Sequence, residues 1–472
     1  MKQMTLGVII GNRDFFSDHL VTEARRDLLK LFAELQIEAV LLNEQQSKLG
    51  AVETWGDAVA CGELFRTHRQ RIDGILVCLP NFGDEKGIAD SIRLSELNVP
   101  VLVQACTDDL DAFGLERRRD AFCGKISVCN NLRQYGLKYS LTRDHTVTLT
   151  DMRFREDVLQ FLQTCRVVRG LKRVRVGAIG ARPNAFNTTR YSEKLFEASG
   201  ISVNTIDLSE IFGLAANIRS DDPKVKVRIE QIHAYADASA APKDSMIKMA
   251  KFAIVIDEWM ASLGLTATAI QCWSSMQKNY GVNVCTIMSM MSEQMLPSAC
   301  EVDIAGVISM YALQLASERP SALVDWNNNY GNDPEKCVFF HCGNWAKDFL
   351  PDIRIATAPI LGTILGEENT VGALAGRTPS GPVAFGRIST DDLGGRIRAY
   401  LGEGQFTDDP LDTFGTKAVV RVPGLPRLLQ YICRNGFEHH SAMNKSHCAA
   451  AVTEGLENYL GWEVYHLNAI KP

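Results

Sequence analysis

Apolar residues in the first 110 positions fall in short continuous runs separated by stretches of helical spacing. TLGVIIG (5–11) ends at a glycine, and over 18–35 Leu20, Ala24, Leu28, Leu29, Leu31 and Phe32 share one helical face. The alternation continues through IEAVLLN (37–43), a helical stretch near 54–69, GILVCLP (74–80), a helix near 87–96 and VPVLVQA (99–105). Strands that are apolar at successive positions must be covered on both faces, which predicts a parallel sheet between layers of helices. The pattern restarts after a helical segment near 154–169. VRVGAIGARP (174–183) reads as a strand and turn, followed by a helix near 188–199, ISVNTIDLSEI (201–211), a polar helix near 221–240 and helical sequence over 243–263. From about 350, GPVAFGRI (381–388), IRAYLGEG (397–404) and KAVVRVP (417–423) are short and strand-like, divided by Gly, Pro and Asp. The expected fold is α/β, with two doubly wound α/β sandwich domains at 1–170 and 171–350. A C-terminal β-rich, barrel-like domain is expected at 351–472.

Composition narrows the classes of partner. The chain has 472 residues, 46% of them apolar and 22% charged, with 50 Lys+Arg against 56 Asp+Glu and a net charge of −6. A mildly acidic chain offers no electrostatic footprint for nucleic acid or an anionic membrane. No apolar run approaches the roughly 18 residues that span a bilayer. The N-terminal run turns polar at Asn12, Arg13 and Asp14, too soon for a signal peptide. Thirteen cysteines, spread from Cys61 to Cys448 without a CxxC pair, read as small buried hydrophobes in a reducing compartment. A cytoplasmic location is therefore expected.

The turn GAIGARPNAF (177–186) follows a strand but lacks the glycine spacing of a dinucleotide loop, and no phosphate-binding P-loop pattern is present. No nucleotide cofactor is expected. Asn187, in the same turn, is a candidate substrate contact, because ligands sit at the carboxyl ends of strands in open α/β sheets.

A second set of residues carries more chemistry. Glu301 and Asp303 stand at the start of an apolar helical run (PSACEVDIAGV), and Asp325 ends a short apolar run before an Asn-rich turn (ALVDWNNNYG). His341 ends another strand-like run (CVFFHCGNW), and His439 and His440 sit in RNGFEHHSAM. Each is a polar residue at the tip of an apolar element. Taken singly, Glu301 also fits a helix-start acid, Asp325 a turn cap and His341 a core histidine; His447 and His466 carry no signal. Together, two carboxylates and one or two imidazoles suit Mn²⁺, Mg²⁺, Co²⁺ or Zn²⁺ rather than copper. An open site of that kind acts as a Lewis acid on a carbonyl, with carboxylates beside it to move protons.

The GARPxxFNT turn (180–188), CEVD (300–303), DWNN (325–328), FFHCGN (339–344) and GFEHH (436–440) occur in an order and spacing that resembles the L-fucose/L-arabinose isomerase family. The resemblance runs along most of the chain. It implies two α/β domains, a C-terminal β-rich domain and a Mn²⁺-dependent aldose–ketose isomerase working through a cis-enediol, with Mg²⁺ or Co²⁺ as alternative metals. By resemblance, Glu301 and Asp325 are the metal-binding carboxylates that also act as acid and base. His440 is the metal-binding histidine, and His341 matches an extra ligand of the arabinose branch. His439 falls at a substrate-facing position, Gln271 is a further substrate contact, and Arg13 falls where the family reaches into a neighbouring subunit's site. A homo-oligomer, hexamer or trimer, is implied. The chain is shorter than a typical fucose isomerase and mixes features of both branches. Divergent members act on other sugars, including the sulfonated glucose derivative sulfoquinovose. The competing readings from the residues are a non-catalytic sugar-binding or regulatory protein on the same fold, and a metallohydrolase. The absence of an HExxH-like motif weighs against the hydrolase.

Overall fold

The computed structural model describes residues 3–467. The last five positions of the expected C-terminal domain, 468–472, lie outside the described residues. The chain divides into two compact units, Met1–Arg169 with Glu454–Gly461, and Gly170–Thr453 with Trp462–Pro472.

The first unit is a parallel sheet of β1 (Thr5–Ile10), β2 (Glu38–Val40), β3 (Gly74–Leu79), β4 (Val101–Ala105) and β5 (Ser140–Leu141), ordered β2-β1-β3-β4-β5. Both faces are buried, as continuous apolar strands require. On β3, Leu76 and Cys78 enter one core and Ile75, Val77 and Leu79 the other. The helices between the strands cap as their sequences suggest. Thr54 and Asp57 form a reciprocal capping box before Trp55–Thr67, and Asp84 caps Glu85–Ser95.

The second unit opens with a parallel four-stranded sheet: β6 (Arg175–Ile179), β7 (Ser202–Ile206), β8 (Ala267–Ile270) and β9 (Ser298–Cys300), in the order β7-β6-β8-β9. Strand order reverses at β6, so a crevice is expected outside its carboxyl end, where it adjoins β8. The helix expected over 188–199 is confined to Glu193–Ala198, preceded by a single 3₁₀ turn.

Beyond β9 the chain builds one large sheet from β10 (Ser321–Tyr330), β11 (Asp333–His341), β12 (Arg354–Ala356), β13 (Ala373–Arg377), β14 (Gly381–Asp391), β15 (Arg396–Thr407), β16 (Thr416–Arg421), β17 (His440–Asn444) and β18 (Glu463–His466). Because β15 also pairs with β16, the strands β16, β11, β10, β17, β14 and β15 close into an antiparallel ring. Closure removes the exposed edges that an open antiparallel sheet would carry. The boundary expected near 350 falls inside this sheet, since β10 and β11 are two of its ring strands. Nor does a seam in packing mark that position. One continuous core joins Ile179 and Ile270 of the parallel sheet to Val324, Phe339, Phe385 and Tyr400 of the ring.

Candidate functional site

The end of β9 and the β10–β11–β17 edge of the ring converge on one cluster. Glu301 follows the last residue of the parallel strand β9 directly. There the chain turns through two left-handed residues, Glu301 at φ 64° and Val302 at φ 54°. A β-branched residue in that region is strained, and such positions persist only where surrounding contacts enforce them. The turn is held by Asp303 N–H donating to Cys300 O (3.0 Å).

Asp325 and His440 lie directly opposite each other across β10 and β17, where cross-strand neighbours meet. His440 Nε2 is 3.4 Å from Glu301 Oε2 and 3.4 Å from Asp325 Oδ1. His341, at the end of β11, has its ring centroid 5.8 Å from that of His440. Ligand atoms of Asp325, His341 and His440 all lie within 4.8 Å of one another, and so do those of Glu301, His439 and His440. Five of the residues expected from sequence are thus brought together.

Four buried atoms in this cluster lack a hydrogen-bond partner: Glu301 Oε2, Asp325 Oδ1, His341 Nε2 and His440 Nε2. Buried polar atoms left unpaired are costly; those of Asp325, His341 and His440 lie together, and Glu301 joins them through His440 at 3.4 Å, which calls for a partner at that point. Around an octahedral cation with bonds of about 2.1 Å, adjacent ligands stand about 3 Å apart, close to the 3.4 Å separations seen here. The donor set fits a hard divalent cation.

What holds the ligands is a buried ionic chain. His440 Nδ1 faces Asp303 Oδ2 at 2.8 Å, so a proton on Nδ1 leaves Nε2 free to ligate. Arg387, fully buried, grips Asp303 with both terminal nitrogens (2.5 and 2.9 Å) and turns its Nε to Glu438 (3.1 Å). Glu438 also accepts from Ser389 Oγ at 2.8 Å. Asp303 has a third task, capping the helix Ile304–Ser317 through Gly306 N–H at 2.8 Å. The helix-start acid is therefore Asp303, which leaves Glu301 free to face the cluster. Gly306 suits this contact, because a Cβ there would stand 2.5 Å from Asp303 Oδ2. The sequence pairs Asp303 with Glu301 but gives little sign of Arg387 or Glu438 beyond one arginine in an apolar strand and one glutamate before two histidines.

Burial and the crowding of carboxylates and imidazoles set the electrostatics of the cluster. Burial raises Glu301 to about 7, with the neighbouring His440 and His341 charges pulling the other way. Burial also opposes ionisation of Asp303, but Arg387 and the His440 hydrogen bond hold it well below the usual carboxylate range. His440 is raised, because Asp303 and the surrounding carboxylates outweigh its burial. His439 is lowered to about 4, by burial first and by His440 second, so it is neutral at pH 7. His341 is the less settled ligand in geometry. Its Nδ1 accepts from the Cys342 backbone N–H (3.0 Å) and lies 3.4 Å from the Cys342 sulfur. While Nδ1 accepts there the neutral ring carries its proton on Nε2, and ligation through Nε2 requires that proton to move or leave.

Asp325 and His439 are the most exposed members of the cluster, which puts its open side there. Beside His439 stands Phe186, stacked at 6.1 Å and in edge contact with Trp273 at 4.6 Å. From the 180–188 turn it is therefore Phe186 that approaches the cluster, while Asn187 is exposed. Gln271 lies at the β6–β8 crevice, where its Oε1 accepts from Ala181 N–H at 2.9 Å and pins the turn. Gly180, at φ 81°, makes room for that contact. Arg13 belongs to the first unit. Its guanidinium donates to Gly83 O (2.7 and 3.0 Å), pairs with Glu85 and lies 4.2 Å over the Phe82 ring.

Comparison with known proteins identifies the family. Residues 7–172 match the model of the fucose/sulfoquinovose isomerase N-terminal domain, and residues 339–468 that of the L-fucose isomerase C-terminal domain. The two together cover more than half of the chain. A sulfoquinovose isomerase of Alkalicoccus urumqiensis is 26% identical over 284 residues, 58% of this chain and 61% of that protein. The chain thus spans less than two thirds of that relative's length. A sulfoquinovose isomerase of Priestia aryabhattai is 23% identical over 377 residues, 79% of this chain and 81% of that protein. Among solved structures, a periplasmic solute-binding protein from Actinobacillus succinogenes with bound D-allose aligns at a TM-score of 0.17 and 11% identity, over 67% of this chain and 93% of its own. Among the described residues no helix is long and apolar enough to cross a membrane. With family matches reaching from the first strand of one unit to the last strand of the other, the chain belongs to the L-fucose isomerase-like family as a divergent member.

Proposed function

We propose that this chain is a metal-dependent aldose–ketose isomerase acting on a sulfonated hexose of the sulfoquinovose type. The observation that carries the reading is the set of four unpaired buried atoms on Glu301, Asp325, His341 and His440. Those residues would hold Mn²⁺, with Mg²⁺ or Co²⁺ as alternatives, and the bound cation would supply Lewis acidity toward the sugar's carbonyl and hydroxyl oxygens. Glu301 and Asp325 divide the proton work. One takes the proton from C2 and returns a proton to C1, and the other relays the O2 proton to O1, by way of a cis-enediol. As carboxylates beside the cation, both can accept a proton from the sugar. His440 is kept in one tautomer by Asp303, and neutral His439 offers a hydrogen bond to a sugar hydroxyl at the open side. Phe186 and Trp273 give the sugar's apolar face a wall and exclude water from it. A pure sugar binder has no need for four converging unpaired donors.

The reading is tested by incubating the chain with Mn²⁺ against sulfoquinovose, L-fucose, D-arabinose and L-arabinose, with an EDTA-treated control. Metal-dependent ketose from sulfoquinovose supports it; stoichiometric metal without turnover on any sugar counts against the substrate class. The pH dependence of metal binding gives an independent check. Below about pH 7 Glu301 must first lose a proton, so affinity for Mn²⁺ is expected to fall about tenfold per pH unit in titration calorimetry. Affinity unchanged from pH 8 to pH 5.5 would remove Glu301 from the ligand set.

We also place the chain in a homo-oligomer, trimer or hexamer, with Arg13 acting in trans on the anionic group. A guanidinium offers a bidentate fork for a sulfonate once it leaves Gly83 and Glu85. Arg13→Ala is expected to lower kcat/KM for the sulfonated sugar at least tenfold more than for a neutral one (about 1.4 kcal/mol). Equal losses on both would remove anion recognition from this residue.

A further inference from the structure

Three cysteines converge beside the carboxylate–histidine cluster, and only Cys342 touches it, through His341. Cys285 begins the helix Cys285–Glu293, Cys300 ends β9, and Cys342 follows β11. Their sulfurs all lie within 4.8 Å of one another, with Cys285 and Cys342 at 4.0 Å. All thirteen cysteines are free, so none of this convergence is spent on a disulfide. Buried cysteines scattered through a core are small hydrophobes; three thiols from three separate elements meeting at one point are a different arrangement. Thiolates about 2.3 Å from a common cation stand roughly 3.8–4.0 Å apart in tetrahedral or trigonal geometry, which the Cys285–Cys342 pair already matches. A fourth thiol, Cys272, is buried close to Cys300.

We propose that Cys285, Cys300 and Cys342 form a second cation site, selective for a thiophilic metal such as Zn²⁺. Softness separates it from its neighbour: thiolates favour Zn²⁺, whereas the oxygen-rich set of Glu301 and Asp325 favours Mn²⁺ or Mg²⁺. Binding converts three thiols to thiolates and releases three protons to solvent. Cys342, the half-exposed member, provides the path for that exchange. Cys272 or a water completes the tetrahedron. The position gives the site a structural consequence. Cys300 adjoins Glu301 and Cys342 adjoins His341, so a cation here ties together the ends of β9 and β11 that carry two residues of the first cluster.

Cobalt distinguishes the two sites, because thiolate-bound Co²⁺ shows a ligand-to-metal charge-transfer band in the near ultraviolet that carboxylate- and imidazole-bound Co²⁺ lacks. The protein is isolated from cells grown with Co²⁺, so that metal is present during folding, and its metal content and absorption are measured. The expected result is two Co²⁺ per chain with the band. Cys285→Ser should retain one Co²⁺ without the band, and His440→Ala should retain the band with one Co²⁺. Cys342→Ser, at the half-exposed position, repeats the test should Cys285→Ser fold poorly. Wild-type protein with one Co²⁺ and no charge-transfer band, or a band that survives in both serine variants, overturns the proposal.

Discussion

Glu301→Gln is expected to lower turnover by a factor on the order of 10³ while the apo protein becomes more stable above neutral pH. The substitution keeps the shape of the side chain and removes its charge. Activity falls because the buried carboxylate is lost both as proton carrier and as anionic ligand. Stability rises for a reason that follows from the raised pKa. Between about pH 4.5 and pH 7 the folded apo protein binds a proton at Glu301 that the unfolded chain has released. Apo stability therefore declines as pH rises through that window, by about 3 kcal/mol in all, and Gln escapes the loss. Bound metal should reverse the decline in the wild type. Thermal melts at pH 5 and pH 8, with and without Mn²⁺, beside a turnover assay, check both halves. Near wild-type turnover in the variant with metal in place would take Glu301 out of the proton transfer.

Arg387→Met should cost about 3–5 kcal/mol of stability, because it leaves Asp303 and Glu438 buried without their cation. Arg387 is fully buried, and no solvent can replace its fork. The variant that folds should also bind Mn²⁺ 10–100-fold more weakly, since Asp303 then no longer fixes His440. Denaturant unfolding and metal titration of the same preparation separate the two effects. A loss below 1 kcal/mol would show that Asp303 and Glu438 take up protons or reach water instead, and the ionic chain would lose its structural role. Arg387→Lys keeps the charge without the fork; intermediate stability with weakened metal binding is the pattern expected of a positioning residue.

The first unit was legible because its strands carry their burial in sequence. TLGVII, GILVCL and VLVQA are apolar at nearly every position, as strands covered on both faces must be. The ring strands hide theirs. β10 reads SALVDWNNNY, buried over its first four residues and partly buried to exposed thereafter. β11, DPEKCVFFH, is the reverse. Each looks like a short strand followed by a loop, and their pairing into a long hairpin is a tertiary fact. The β15–β16 pairing that closes the ring leaves no local mark either. No packing seam marks the expected boundary near 350, because a single core runs through it.

The candidate ligands were legible as polar residues at the tips of apolar runs, and their motif order tied them to a family. The groups that orient them were not. Asp303 and Arg387 are 84 residues apart, Arg387 and Glu438 51, so no spacing rule connects them. Phe186 stood inside the quoted turn, but only the folded loop shows that the aromatic ring, and not Asn187, faces His439.

Isomerisation of sulfoquinovose in D₂O, followed by NMR of the ketose, tests the proposed chemistry most directly. A carboxylate that removes the C2 proton exchanges it with solvent before a proton is returned to C1. Metal-dependent ketose carrying deuterium at C1, with Glu301→Gln and Asp325→Asn inactive, is the predicted result. Ketose formed with the original C2 hydrogen retained at C1, together with undiminished turnover in Glu301→Gln and Asp325→Asn, would mean a direct hydride shift, and would contradict the proton-transfer roles given to Glu301 and Asp325.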